Sequence, residues 1–175
     1  MFLNEQYQTM KEIKPITTVE RLYRTRGAAT GECFVDAVVW LLVNRPDITE
    51  SQQMGELLEV DASLLTKVIK LMTGTPLKEM ITQWRMWQAL QTMLEHPELD
   101  DEAISQQCGC GHAQDLEAKI KKRYHTTIGA FRHGQARRNG NYDYNQTAAG
   151  TREVQDNAQK LREYITWLST PPQAE

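Results

Sequence analysis

Three potential metal ligands, Cys108, Cys110 and His112, stand at alternate positions of the sequence. Structural zinc sites usually separate their cysteines by two to four residues and need four ligands. Cys33 is the one further thiol in the chain, and it lies far away in the sequence. We therefore expect Gly109 to mark a turn, Cys110 to fill an apolar position and the segment to bind no metal.

His112 and Asp115 also suggest acid–base chemistry, because an acid can orient a histidine for proton transfer. No nucleophile, phosphate-binding loop or glycine-rich cofactor turn accompanies them in the sequence. In the segment RGAATGE, Gly27 and Gly31 are not followed by the Gly-Lys-Ser/Thr of a P-loop. We expect a surface pair at His112 and Asp115, and a protein that is not an enzyme and uses no cofactor.

The composition limits which elements can position these residues. The chain of 175 residues is 40% hydrophobic, which suits one domain with appendages. The first residues, MFLNEQYQTMKEIK, are polar and mixed in charge, so neither a signal peptide nor a membrane span is expected. An odd number of cysteines predicts reduced thiols in a cytoplasmic protein. With a net charge of −3, binding to nucleic acid would require a locally basic surface.

The stretch from Leu77 to Leu94 organises the rest of the chain. Its apolar residues extend most of the way round a helical wheel: Leu77, Met80, Ile81, Trp84, Met86, Trp87, Ala89, Leu90, Met93 and Leu94. Such a helix must be covered on more than one side. The run is too short and too charged to span a membrane. We predict a helix held between two small helical units, with Trp84 and Trp87 in the core.

The unit before this helix follows a helix-turn-helix pattern. Apolar residues fill Glu32 to Val43, and a second helix opens at Thr49, its predicted N-cap, with acids in its first turn. Glu59-Val60-Asp61 forms a turn. A further helix begins at Asp61 or Ser63 and ends at Gly74.

The unit after it repeats the pattern about fifty residues later. Asp101 is the predicted cap of a helix that runs to Gln107, Cys108 to Gly111 form the turn, and a helix follows from His112 to Tyr124. A short helix, Thr127 to Arg132, closes the unit. A central helix of about 18 residues spans roughly 27 Å. With the flanking units added, the distance between the second helices of the two units comes close to the ~34 Å that separates successive major grooves on one face of DNA. The spacing therefore predicts a protein that reads duplex DNA in two segments.

Several residues of the two units recur at the spacing of a known family. In the first unit they are Gly74-Thr75-Pro76, Ile81, Arg85-Met86 and Ala89. In the second they are Ile104, Cys108-Gly109, Leu116, Ile120-Lys121-Lys122 and Phe131-Arg132. With this spacing the chain from about Cys33 to His133 resembles the C-terminal DNA-binding domain of AraC/XylS-type bacterial transcription regulators. That domain has two helix-turn-helix units joined by a long helix. Glu59 and His125 depart from the family because they stand where it has glycine. Cys110 and Ile128 replace its phenylalanine and proline.

The resemblance implies that the second helix of each unit enters the major groove. The residues that it places on DNA are Ser63, Thr66, Lys67 and Gln114 for base contacts, and Lys70, Lys121, Lys122, Arg123, Arg132, Arg137 and Arg138 for phosphate contacts. In the second reading helix Asp115 and Glu117 are also expected to face outward, where each would repel phosphate. The implied partners are double-stranded DNA and RNA polymerase.

The predicted fold is all-α, with two helix-turn-helix units joined by a central helix and an extra C-terminal amphipathic helix. Its segments are an extension (1–31), the double helix-turn-helix domain (32–135, divided into 32–75, 76–95 and 96–135), a linker (136–150) and the C-terminal helix (151–169). Residues 1–31 are too few for an effector-binding domain, which favours the single-domain members of the family.

The C-terminal helix, Thr151 to Leu168, has one apolar stripe: Val154, Ala158, Leu161, Ile165 and Leu168. The stripe either docks back onto the domain or mediates self-association or binding of a partner protein. Two functions therefore remain. One is a sequence-specific DNA-binding regulator of transcription. The other is an adaptor derived from a helix-turn-helix scaffold, which binds another protein through its acidic surface and C-terminal helix and binds DNA weakly or not at all.

Overall fold

The computed structural model describes the backbone of residues 18–25, 29–139 and 151–171, and the side chains of these residues except 134–139. Over these ranges the chain forms α-helices joined by turns and loops and contains no β-strand, which confirms the all-α expectation. None of the described helices is long and apolar enough to cross a membrane.

The helices follow the predicted order. They are α1 (Thr18–Arg24), α2 (Cys33–Asn44), α3 (Ser51–Leu57), α4 (Ala62–Thr73), α5 (Leu77–Glu95), α6 (Asp101–Gln107), α7 (Ala113–Tyr124), α8 (Ile128–Asn139) and α9 (Arg152–Ser169). α8 is longer than the predicted helix from Thr127 to Arg132, because its backbone continues through Ala136 into the predicted linker. The remainder of that linker, 140–150, lies outside the described residues.

The central helix α5 is enclosed by its neighbours. It packs against α3, α4, α6, α8 and α9, so little of its circumference is left to solvent. Its buried residues are Leu77, Met80, Ile81, Gln83, Trp84, Arg85, Met86, Trp87, Ala89, Leu90 and Met93. The prediction of a helix covered on several sides, with both tryptophans in the core, is confirmed.

The C-terminal helix α9 docks onto the domain, packing on α1, α5, α7 and α8. Its buried residues are Ala158, Leu161, Tyr164, Ile165, Trp167 and Leu168, which include most of the predicted apolar stripe. The docking alternative is therefore confirmed. A partner of α9 would have to contact its outward, polar face.

An aromatic cluster joins α1 and α9 to α5. The ring of Tyr23 lies edge-on to Trp84 at 4.7 Å and to Trp87 at 5.2 Å between centroids. Tyr164 of α9 meets Trp87 edge-on at 6.2 Å. Edge-to-face pairs place positive ring edges against negative ring faces and stabilise beyond their buried area. The cluster therefore fastens the N-terminal helix α1 and the C-terminal helix α9 to the central helix.

A buried carboxylate lies beside this cluster. Glu20 of α1 is fully buried and accepts a hydrogen bond from the hydroxyl of Tyr164. The indole N–H of Trp87 donates to the Tyr124 hydroxyl at 2.8 Å. Burial raises the pKa of Tyr124 to about 12 and the pKa of Tyr164 above its usual range, so both phenols stay neutral and able to donate.

Two predicted N-caps were wrong by one residue. The N-cap of α3 is Glu50 rather than Thr49, and the side chain of Gln53 accepts from the Glu50 N–H at 3.0 Å. Because Glu50 is the cap, no acid lies in the first turn of α3. α6 is capped by Asp100, whose carboxylate accepts from the Ala103 N–H at 2.7 Å, and Asp101 is the first helical residue.

Candidate nucleic-acid interface

The pairs α3–α4 and α6–α7 are built with the same backbone hydrogen bonds. In the turns, the Val60 N–H donates to the Gly55 carbonyl at 2.9 Å, and the Cys110 N–H donates to the Ser105 carbonyl at 2.8 Å. A short turn precedes each pair. The Ile48 N–H donates to the Arg45 carbonyl at 3.1 Å in the first, and the Leu99 N–H donates to the His96 carbonyl at 3.2 Å in the second. The sequence repeat of about fifty residues therefore corresponds to a repeat of backbone geometry.

Both pairs contain a residue forced into the left-handed backbone region. Glu59, in the turn of the first pair, has a φ of 54°, and His125, which ends α7, has a φ of 53°. Within the described residues these are the two non-glycine positions with positive φ. A side chain at such a position costs roughly 1–2 kcal/mol, because its Cβ crowds the following carbonyl. The turn with Glu59 therefore tolerates a strained backbone.

The outward face of α4 carries the first set of predicted contacts. Ser63, Lys67 and Lys70 are exposed, as a DNA-contacting residue must be. Thr66 is half-buried, and its hydroxyl donates to the Ala62 carbonyl at 2.8 Å. The proton of the Thr66 hydroxyl is therefore already engaged within α4. The structure places three of these four side chains on the solvent side of one helix.

The second helix, α7, differs from its predicted surface. Gln114 is exposed, as expected. Glu117 is half-buried and was wrongly predicted to face outward, because its carboxylate accepts from the Ile128 N–H at 2.7 Å and so caps α8. The Asp115 carboxylate accepts from the His112 N–H at 3.2 Å. Both acids are therefore engaged in hydrogen bonds within the chain.

The basic residues at the end of α7 are not equally available. Lys122 is exposed. Lys121 lies 3.1 Å from Glu117, and Arg123 lies 3.5 Å from Glu79 of α5. Each pair has one side chain that is half-buried, Glu117 in the first and Arg123 in the second, so Lys121 and Arg123 are less available than Lys122. Lys119, which the sequence analysis did not place on DNA, is a further exposed cation of α7.

Arg132 was wrongly predicted to contact phosphate. Its side chain is 2% exposed and forms an ion pair with Asp101 at 2.6 Å. It also donates to the Leu99 carbonyl at 2.9 Å and to the Pro97 carbonyl at 3.3 Å. Arg132 therefore holds the segment before α6. The side chains of Arg137 and Arg138 lie outside the described residues.

Arg85 performs the equivalent task in the first unit and was missed as a structural residue. Buried on α5, it donates to the carbonyls of Leu42 at 2.7 Å and Arg45 at 2.6 Å. A third bond, at 3.2 Å, goes to the Ile48 carbonyl. The match of Arg85 and Arg132 to the family's arginines was the one sequence signal for these roles.

Glu102 and His112 form a surface pair at the start of α7. The carboxylate of Glu102 accepts from the Ala113 N–H at 2.8 Å and contacts His112 Nδ1 at 2.8 Å. These bonds lower the pKa of Glu102 to about 2. The hydrogen bond to Glu102, which is ionised at every pH where histidine titrates, raises the pKa of His112. The predicted pair of His112 and Asp115 therefore has Glu102 as its main acid.

We expect an NMR titration to place the pKa of His112 above its ordinary value of 6.5. Glu102→Gln should move it back toward that value, whereas Glu98→Gln, which removes a carboxylate next to another histidine, should leave it unchanged. Because folding raises the pKa of His112, its pairing with Glu102 stabilises the fold fully at pH values below the pKa of this histidine in the unfolded chain. This contribution is lost as the pH rises through the folded pKa. An unchanged His112 titration in Glu102→Gln would contradict the assignment.

The cysteines differ in burial. All three are free thiols; Cys33 is exposed, whereas Cys108 and Cys110 are buried. Burial raises the pKa of the Cys110 thiol to about 12, so it stays protonated. In the part of the chain that the structure describes, no group of three His, Cys, Asp or Glu side chains is placed to hold a metal ion.

Comparison of the chain with protein-family models, with curated proteins and with solved structures finds no match.

Proposed function

We propose that the chain is a sequence-specific DNA-binding regulator of transcription, and that α3–α4 and α6–α7 are two helix-turn-helix units that read adjacent major-groove segments. The observation that carries this proposal is the position of the strained residues. Glu59 and His125 stand where the AraC/XylS-type pattern has glycine, and both have a positive φ. Glycine is the residue that adopts this conformation without strain. The backbone therefore supports the register of the resemblance at two independent points.

The side chains supply a second line of support. Ser63, Lys67 and Lys70 on α4 and Gln114 on α7 are exposed. Lysine can bind guanine or phosphate, and glutamine can bind adenine through two hydrogen bonds. The acids of α7, Asp115 and Glu117, each accept a backbone N–H within the chain, and Glu117 also pairs with Lys121. Exposed lysines, Lys67 and Lys70 on α4 and Lys122 on α7, supply local positive charge for phosphate contacts.

Selection from a random duplex pool at near-physiological salt should enrich two half-elements about one helical turn apart. We expect Lys67→Ala to lose preference at one position of the first half-element, by about 1–3 kcal/mol for a good paired contact. Gln114→Ala should do the same in the second. As a control, Lys78→Ala removes an exposed lysine from α5 and should keep both preferences. A uniform loss of affinity on every sequence would rule out base reading by Lys67 and Gln114.

A second candidate function is the adaptor, and a specific observation favours it. Trp40 of α2 is 60% exposed and Leu71 of α4 is 87% exposed. Phe34, Val43 and Met72 are also exposed on these two helices, which pack against each other. Exposed apolar residues that cluster on the surface often mark a protein interface, and these five lie on two neighbouring helices.

The salt dependence of DNA binding separates the two functions. The logarithm of the affinity for duplex DNA falls linearly with the logarithm of the salt concentration, and each phosphate contact makes this slope steeper by about 0.9. A regulator that uses several lysines should show a steep slope. An adaptor should show little duplex binding at any salt concentration.

A further inference from the structure

The reading helix α4 presents apolar side chains on the face that would meet DNA. Leu64 is 53% exposed and Leu71 is 87% exposed, and Val68 is half-buried between them. Their spacing of i, i+4 and i+7 places them in one stripe on the helix surface. The core of the first unit is formed instead by Leu65 and Ile69. Leu64 and Leu71 are therefore not used in the fold.

Hydrogen-bonding groups are scarce around this stripe. The Thr66 hydroxyl is engaged with the Ala62 carbonyl at 2.8 Å, and the Asp61 carboxylate accepts from the Leu64 N–H at 2.9 Å. Exposed on the same helix are the hydroxyl of Ser63 and the ammonium groups of Lys67 and Lys70. The surface thus combines positive charge with apolar groups.

The DNA major groove offers the matching combination. Its walls are lined by phosphates, which bind cations. Its floor presents the 5-methyl group of thymine, which apolar side chains contact. The lysines beside the stripe favour this ligand over an apolar protein surface, because they would have to be desolvated against such a surface.

We propose that Leu64 contacts the 5-methyl group of a thymine, so that the first half-element contains a thymine at a fixed position. This inference rests on the proposed DNA-binding function. Leu64 is the third residue of α4, and the N-terminal residues of a reading helix contact base edges. Leu71 lies roughly 10 Å further along the helix axis, beyond the reach of those bases.

The test uses two random-sequence duplex pools, one copied with dTTP and the other with dUTP. Uracil lacks the 5-methyl group but keeps every hydrogen-bonding group of thymine. The wild-type protein should enrich thymine at a fixed position from the first pool and show no preference there in the second. On the enriched duplex, replacing that thymine by uracil should weaken binding about three- to fivefold, as expected for one buried methyl group.

Two variants show which leucine of α4 contacts the thymine methyl group. Leu64→Ala should bind the thymine and uracil duplexes equally, because its side chain no longer reaches the methyl group. Leu71→Ala, which removes an exposed leucine from the same stripe, should keep the wild-type ratio. Both side chains are exposed, so both variants should fold, which circular dichroism can check.

The contrary outcomes are distinct. The same motif enriched from both pools would overturn the contact and leave DNA binding intact. Loss of the ratio in Leu71→Ala, with retention in Leu64→Ala, would overturn the assignment to Leu64. Light scattering that shows a dimer broken by Leu64→Ala would mean that a second copy covers the stripe, and would also overturn it. No enrichment from either pool would overturn the proposed function together with this inference.

Discussion

Arg85→Ala is expected to lower the free energy of unfolding by about 3–5 kcal/mol, measured by urea denaturation. The Arg85 guanidinium donates to the carbonyls of Leu42, Arg45 and Ile48 at 2.6 to 3.2 Å. Alanine removes the Arg85 donor from all three carbonyls, and the Arg45 carbonyl keeps a hydrogen bond from the Ile48 N–H at 3.1 Å. Part of this loss is offset because the variant no longer buries a cation, whose desolvation lowers the pKa of Arg85.

Arg45→Ala is the matched control for this substitution. The Arg45 side chain is 44% exposed and pairs with Asp47 at 2.7 Å. Its loss should change the free energy of unfolding far less than the loss of Arg85, because the pair that it breaks is exposed to solvent. Arg85→Lys should fall between wild type and alanine, because one ammonium group cannot reproduce the geometry of the guanidinium. Equal stabilities of Arg85→Ala and Arg45→Ala would contradict the anchoring role.

Trp87→Ala is expected to lower the free energy of unfolding by about 3–5 kcal/mol. Trp87 is fully buried, and its indole donates to Tyr124 at 2.8 Å. The substitution removes contacts to the rings of Tyr23 and Tyr164 and leaves a cavity between α1, α5, α7 and α9. It also removes the partner of a buried hydroxyl. Urea denaturation followed by circular dichroism measures the loss without relying on tryptophan fluorescence.

Trp40→Ala provides the comparison, because it removes the same side chain from a position that is 60% exposed. We expect a change of about 1 kcal/mol or less, since most of that indole is already in water. If Trp40→Ala destabilised the protein as much as Trp87→Ala, the aromatic cluster would not be the centre of the core.

Elements whose signal lies in their own periodicity could be predicted from the sequence. α5 carries apolar residues round most of its circumference, and the structure encloses it. α9 carries one stripe, and that stripe is buried. The N-cap residues were less predictable, because two neighbouring side chains at each helix start can accept the capping hydrogen bond. These are Thr49 and Glu50 for α3, and Asp100 and Asp101 for α6. Which of them becomes the cap depends on where the preceding loop ends.

The charged residues were the hardest to place, because their partners are distant in the sequence. Arg132 resembles a solvent-exposed cation until the fold brings it to Asp101 and to the carbonyls of Pro97 and Leu99. Glu117 resembles an outward acid until α8 begins beside it. Leu64 shows the converse, because it shares the helical spacing of the apolar residues of α4 and the structure leaves it 53% exposed.

The hydrogen bond between Glu20 and Tyr164 joins residues 144 positions apart, so it sets an order of events during synthesis. α1 and α5 leave the ribosome long before α9. At about 5–20 residues per second, the aromatic rings on α5 wait roughly 4–15 s for the helix that covers them. During that interval Trp87 lacks its contact with the ring of Tyr164, and apolar surface that is exposed transiently favours aggregation. Translation speed over the second half of the message therefore bears on the yield of folded protein.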